Sequence, residues 1–168
     1  MQISSALQAS HDLYRQTHDR YPDYFGGYSL VTFIHEIGYL IKHGNITTAV
    51  DYGCGKARAW KNYDLKRLWN LQEVQLYDPG VEQFAKRPTA CDLVICTDVM
   101  EHVPEDVVDE VLQDVCSLAN KAVFFNISTQ PASKKLVDGS NAHATVRPRR
   151  WWQEKLSKLD KLAIAHYS

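Results

Sequence analysis

Apolar residues recur at helical spacing in SLVTFIHEIGYLIKHG, where Leu30, Phe33, Ile34, Ile37, Leu40 and Ile41 form one stripe. Ser29 is placed to cap the start of that helix and Gly44 its end. TTAVDYG, EVQLYDP, CDLVICTD and KAVFFNIS then read as four short strands. The third carries the continuous apolar run found in parallel sheets covered on both faces. Between the last two lies VPEDVVDEVLQDVCSLA, a helix with Pro104 in its first turn and Glu105 and Asp106 at its positive end. Its stripe is Val107, Val108, Val111, Leu112, Val115 and Leu118. PRRWWQEKLSKLDKLA restarts helical spacing through Trp152, Leu156, Leu159 and Ala163, with at least one of Trp151 and Trp152 expected in the core. AIAHYS reads as a last short strand. Strands alternating with helices predict a parallel α/β sheet, and such sheets place ligands beyond the carboxyl ends of their strands.

Those strand ends hold the unusual residues. Asp51-Tyr52-Gly53-Cys54-Gly55 follows the first strand and Asp78-Pro79-Gly80 the second. Thr97-Asp98 ends the third, with Glu101-His102 opening the next helix, and Asn126-Ile127-Ser128-Thr129 ends the fourth. Glycines at 53 and 55 allow a sharp turn and close approach of a ligand, at which the following helix would aim its amides. A carboxylate at position 51 would repel a pyrophosphate but suits a positively charged amino acid. Asp78 stands where a carboxylate reads the two hydroxyls of a ribose. The dinucleotide pattern GxGxxG fails, because Arg58 occupies its third glycine. The combination favours an amino-acid-bearing nucleoside.

Composition narrows the setting. The 168 residues fit one domain, read as a helical cap over 1–45 and a core over 46–168. Nineteen basic against twenty acidic residues supply no global field for a nucleic-acid backbone, so no stable nucleic-acid binding is expected. Cys54, Cys91, Cys96 and Cys116 form no CxxC pair and are expected as buried, reduced thiols. No apolar run approaches membrane-spanning length and the N-terminus lacks a signal-peptide core, which predicts a cytoplasmic protein without membrane attachment.

AVDYGCGKARAW, VQLYDPG and CDLVICTDVMEHVPED resemble the successive motifs of class I S-adenosylmethionine-dependent methyltransferases. The likeness runs from about Asp12 to Trp152. It is nearest to a small bacterial and phage-type group with segments like YFGGYSL, DYGCGKA, CTDVMEHVP and DGSNAHATVRPRRWW. The resemblance implies a Rossmann-like three-layer sandwich, mostly parallel, with S-adenosylmethionine as cofactor and S-adenosylhomocysteine as product. It places Asp51, Gly53, Cys54 and Gly55 in the methionine-side loop and Asp78 and Pro79 at the ribose. Thr97 and Asp98 would line the methionine end, and Phe25 and Gly26 would belong to a flap whose aromatic faces favour the sulfonium.

The chain departs from that family in two ways. Ala57 replaces the loop's third glycine, which is harmless if the residue begins a helix and costly only at positive φ. Only twelve residues, 79–90, separate the second strand from the next motif. The family's third strand is therefore shortened or missing, and groups around Val81 to Lys86 must replace its adenine-reading acid. The usual antiparallel final strand is also in question.

His143, in a loop beside the pocket, is the first candidate for a general base, with Asp98 and His102 beside it. Asp98, Glu101, His102 and His143 have an alternative reading as a divalent-metal site, but their spacing is not diagnostic, and no metal is assigned. Lys134, Lys135, Arg147, Arg149 and Arg150 read either as a solvated basic face or as the mark of an anionic substrate. Absent an amino-group DNA methylation motif or a Pro-Cys nucleophile, the expected acceptor is an oxygen or nitrogen of a small molecule, sugar or modified metabolite. The alternatives are a protein that holds S-adenosylmethionine without transferring methyl, and a lyase or hydrolase that degrades it.

Overall fold

The computed structural model describes residues 3–168. Five strands form one parallel sheet: β1 (Thr48–Tyr52), β2 (Glu73–Tyr77), β3 (Cys91–Thr97), β4 (Ala119–Ile127) and β5 (Leu162–Tyr167). Their order across the sheet is β2-β1-β3-β4-β5, and every neighbouring pair is parallel. This is the doubly wound order in which the chain reverses direction between β1 and β3, the place where such sheets hold ligands. The connection after β2 contains only a 3₁₀ turn, Glu82–Phe84, so among the described residues β2 is the sheet edge with no further strand outside it. β5 pairs directly with β4 in parallel.

Alternation along the strands builds a core on each face. Val123, Phe125 and Ile127 of β4 pack into one core, with Val94 and Cys96 of β3. Ala122 and Phe124 enter the other, with Leu93 and Ile95. The first core is covered by helices α1 (Ser5–Arg20), α5 (Val108–Ser117) and α6 (Arg149–Leu156). The second is covered by α2 (Ile34–His43), α3 (Arg58–Asn62) and α4 (Leu65–Leu68). The result is a three-layer α/β sandwich. The N-terminal segment supplies a helix to each outer layer. All four cysteines are free and buried.

Several local expectations change. The helix expected from Ser29 starts as a 3₁₀ turn, Ser29–Phe33, in which the Val31 N–H reaches the Tyr28 carbonyl, and Ser29 makes no cap. α2 does stop before Gly44, but Asn45, not Gly44, takes the left-handed conformation (φ 47°). The last helix ends at Leu156, and Ala163 lies in β5. Trp152 is fully buried and Trp151 only partly. α1 carries no continuous apolar stripe, with only Leu7, Thr17 and His18 buried. It is held by the Ser4 hydroxyl, which accepts from the Leu7 N–H at 3.2 Å, and by Glu110, which accepts from the Ser4 N–H at 3.0 Å. Among the described residues, no helix is long and apolar enough to cross a membrane.

Candidate functional site

A cavity of ≈710 Å³ opens over the carboxyl ends of β1, β2 and β3. Its lining includes Asp51, Gly53, Cys54, Gly55, Asp78, Pro79, Thr97, Asp98, Phe25, Gly26, His102 and His143. The twelve residues expected from the sequence to be catalytic or cofactor-binding therefore meet in one place.

Asp51, one residue before the end of β1, is almost wholly buried, and its Oδ2 accepts from the Trp60 indole N–H at 2.6 Å. Burial pushes its carboxyl up to about 7, against the opposing pull of that hydrogen bond. Asp78 is held from two sides. The Gly55 N–H donates to Oδ2 and the Gly80 N–H to Oδ1, each at 2.8 Å. Burial raises its pKa and these two amides oppose the rise. One lone pair on each oxygen remains. Cys54 is a buried thiol pushed well up by burial, and its N–H donates to the Tyr77 carbonyl at 3.0 Å.

The glycines serve backbone packing more than ligand approach. Lys56 N–H donates to the Phe25 carbonyl, Arg58 N–H to Gly26 and Ala59 N–H to Gly27. The opening amides of α3 are thus already used, contrary to the expectation that they would point at a ligand. A Cβ on Gly27 would collide with the Cys54 carbonyl oxygen, and one on Gly55 with the Phe25 carbonyl oxygen. The segment expected as a flap is pinned further by the Lys56 ammonium, which reaches the carbonyls of Tyr21, Pro22 and Tyr24 at 3.4, 2.6 and 3.0 Å. Ala57 follows in the left-handed region (φ 49°, ψ 28°) instead of opening the helix in ordinary helical geometry. An alanine at the third position of the loop thus takes a backbone conformation that favours glycine.

The wall beside Asp78 also differs from expectation. None of residues 81–86 lines the cavity; they fold back on β2, where the Asp78 N–H donates to the Phe84 carbonyl at 3.0 Å. α1 takes their place. Tyr14 and His18 line the cavity, and Gly80 lies so close that a Cβ there would sit 3.2 Å from both. His18 packs on the Phe25 ring with centroids 5.3 Å apart, and its Nδ1 is buried without a partner. Burial lowers its pKa to about 4, so the ring is neutral near pH 7. The sequence reading missed both residues, because α1 lacks the apolar periodicity that marks a packed helix. The Ser4 cap was the one available signal.

At the opposite end, Asp98 adopts φ 53° and accepts from the Asn126 side-chain amide. Glu101 is fully buried, and one oxygen accepts from the Ser128 N–H at 2.9 Å. Burial pushes its carboxyl up to about 8. His102 Nδ1 lies 2.8 Å from both the Ala142 carbonyl and the Tyr14 hydroxyl, which itself donates to Ala142 at 2.6 Å. Burial and the neighbouring His143 lower its pKa to about 4. His143 is set by the 128–148 loop. Asn141 closes that loop on Ala132 and accepts from the His143 N–H, and His143 Nδ1 lies 2.5 Å from the Gln130 carbonyl.

The basic cluster disperses. Arg147 pairs with Glu105 at 2.7 Å, Arg150 with Glu154 at 3.1 Å, and Arg149 lies over the Tyr167 ring. Lys134 is the member that lines the cavity, its ammonium 5.2 and 5.4 Å from the Tyr24 and Phe25 ring centroids. No known family, curated protein or solved structure matches the chain.

Proposed function

We propose that the chain is an S-adenosylmethionine-dependent methyltransferase acting on an oxygen or nitrogen of a small acceptor. The observation that carries this reading is the convergence of Asp51 and Asp78 on one cavity at the β1/β3 switch point. Its volume falls within the range of about 300–1,000 Å³ usual for small-molecule sites.

The residues present fit the cofactor at each end. Asp51 supplies a buried carboxylate that a cationic amino acid would ionise. Asp78 keeps an open lone pair on each oxygen for a ribose diol. Tyr14, His18 and Phe25 offer aromatic walls beside Asp78. The stacked carbonyls of Phe25, Gly26 and Gly27 over the loop remove the amides that a pyrophosphate would need, which disfavours a dinucleotide. The cofactor brings the activated methyl group; the protein's work is to align the acceptor with it. Thr97, Asp98, His102, His143 and Lys134 surround the acceptor side. His143, with Nδ1 donating to Gln130, presents Nε2 as the proton acceptor for an acceptor that must ionise. His102 is neutral near pH 7 and a weaker base.

Calorimetry with S-adenosylmethionine, followed by incubation with the methyl-labelled cofactor and a fractionated metabolite extract, tests the reading. Binding plus label in a small-molecule fraction is the expected result. Breakdown of the cofactor with no acceptor present would point to lyase or hydrolase chemistry, and no binding at millimolar cofactor would overturn the proposal.

A further inference from the structure

We infer that Glu101, His102 and His143 form a divalent transition-metal site, with His102 and His143 lining the acceptor end of the cavity and Glu101 wholly buried. One ligand-capable atom from each lies within 4.8 Å of the other two. Proximity alone would say little. What carries the inference is that each group has one polar atom tied by the protein and another left free.

His102 Nδ1 sits 2.8 Å from a carbonyl oxygen, Ala142, which can only accept. Nδ1 must therefore carry the proton, and the lone pair lies on Nε2. His143 repeats the arrangement: its Nδ1 lies 2.5 Å from the Gln130 carbonyl, so Nε2 is again the unprotonated nitrogen. A ring N–H donated to a backbone carbonyl, with the other nitrogen free, is the usual support of a metal-bound histidine. Tyr14 adds a second restraint on His102 through its hydroxyl at 2.8 Å. Glu101 has one oxygen fixed by the Ser128 amide, while Oε2 is buried with no partner. A fully buried carboxylate oxygen without a partner is a costly feature that a bound cation would satisfy.

Two imidazoles and one carboxylate select a borderline ion such as Zn²⁺, Mn²⁺, Fe²⁺ or Co²⁺ over Mg²⁺ or Ca²⁺, which prefer all-oxygen shells. Three protein ligands also leave coordination positions open, as in catalytic metal sites. An acceptor oxygen placed there would be acidified by the ion, a role that would replace that of His143 as a free base.

The test uses the full chain with no S-adenosylmethionine present, so its outcome is separate from that of the methyltransferase reading. Co²⁺ is titrated while visible absorption is followed, and Zn²⁺ is titrated against a chromophoric chelator. One equivalent should bind with ligand-field bands. His143→Ala, a change on a half-exposed loop residue, should weaken binding at least a hundredfold with little change in melting temperature. Glu101→Gln should do the same, and Mg²⁺ should not compete at equal concentration. The exposed histidines of α2 serve as the control: His35→Ala/His43→Ala should bind like the parent. Absence of stoichiometric binding, unchanged affinity in His143→Ala, or loss of binding in the α2 double variant would each overturn the assignment.

Discussion

The Gly55 amide donates to Asp78 Oδ2 at 2.8 Å, tying the glycine loop after β1 to the end of β2. One carboxylate thus shapes the loop and faces the proposed ribose position. Asp78→Ala removes the acceptor for two amides, Gly55 and Gly80, and should abolish calorimetric binding of S-adenosylmethionine. Because an unsatisfied buried amide itself costs about 1–3 kcal/mol, loss of binding there mixes two effects. Asp78→Asn separates them. It keeps one acceptor and the side-chain shape, so the chain should fold while affinity falls at least about tenfold, or about 1.4 kcal/mol. Unchanged affinity in a folded Asp78→Asn protein would sink the ribose assignment.

Gly27 lies at φ 76° against the Cys54 carbonyl, where an added methyl group meets backbone. Gly27→Ala should destabilise the chain by about 2–4 kcal/mol and lower the melting temperature by about 6–12 °C. Gly139 isolates the two causes. It has a similar φ of 85° but nothing within 4 Å of a built Cβ. Gly139→Ala should therefore show conformational strain alone, about 1 kcal/mol. Equal losses at the two positions would mean that the close approach of the Phe25–Gly27 segment to the loop contributes nothing.

Ala57 should tolerate reversion to glycine without much gain. Its left-handed backbone costs roughly 1–2 kcal/mol. Ala57→Gly relieves that strain but gives up about 0.8 kcal/mol of methyl burial and roughly 0.5–1 kcal/mol of chain entropy. The terms offset, and denaturant unfolding should report a change below about 1 kcal/mol. A gain well above that would show that the Ala57 methyl group is poorly packed, against its burial beside Ala59 and Trp60.

The sheet was legible because β1, β3 and β4 are apolar on both faces, and Val107 through Leu118 keep helical spacing over a single stripe. The candidate residues at the strand ends were legible for the same reason: once the strands are placed, Asp51, Asp78 and Asp98 fall at their carboxyl ends. What stayed hidden depended on contacts far apart in sequence. Tyr14 meets His102 across 88 positions and Ala142 across 128. Nothing in the local pattern of α1 announces either contact. The positive φ of Ala57 was hidden for a related reason: it follows from the carbonyls of Phe25, Gly26 and Gly27 capturing the amides of residues 56, 58 and 59.

The last prediction concerns protons. The Asp51 carboxyl, pushed up to about 7 by burial, binds a proton more readily in the folded chain than in the unfolded one. Its contribution to stability is therefore present below the ordinary carboxylate range and is lost as pH rises through about 7. A cationic ligand beside it reverses the preference by favouring the ionised form. S-adenosylmethionine binding at about pH 6 should then release a proton, and affinity should rise between about pH 5.5 and 7. Calorimetry in two buffers of different ionisation enthalpy measures that proton directly. Asp51→Asn keeps an oxygen for the Trp60 indole but cannot ionise, so it should bind about tenfold more weakly near neutrality and lose the proton release. If the parent and Asp51→Asn proteins release the same number of protons, Asp51 does not face the cationic end of the cofactor.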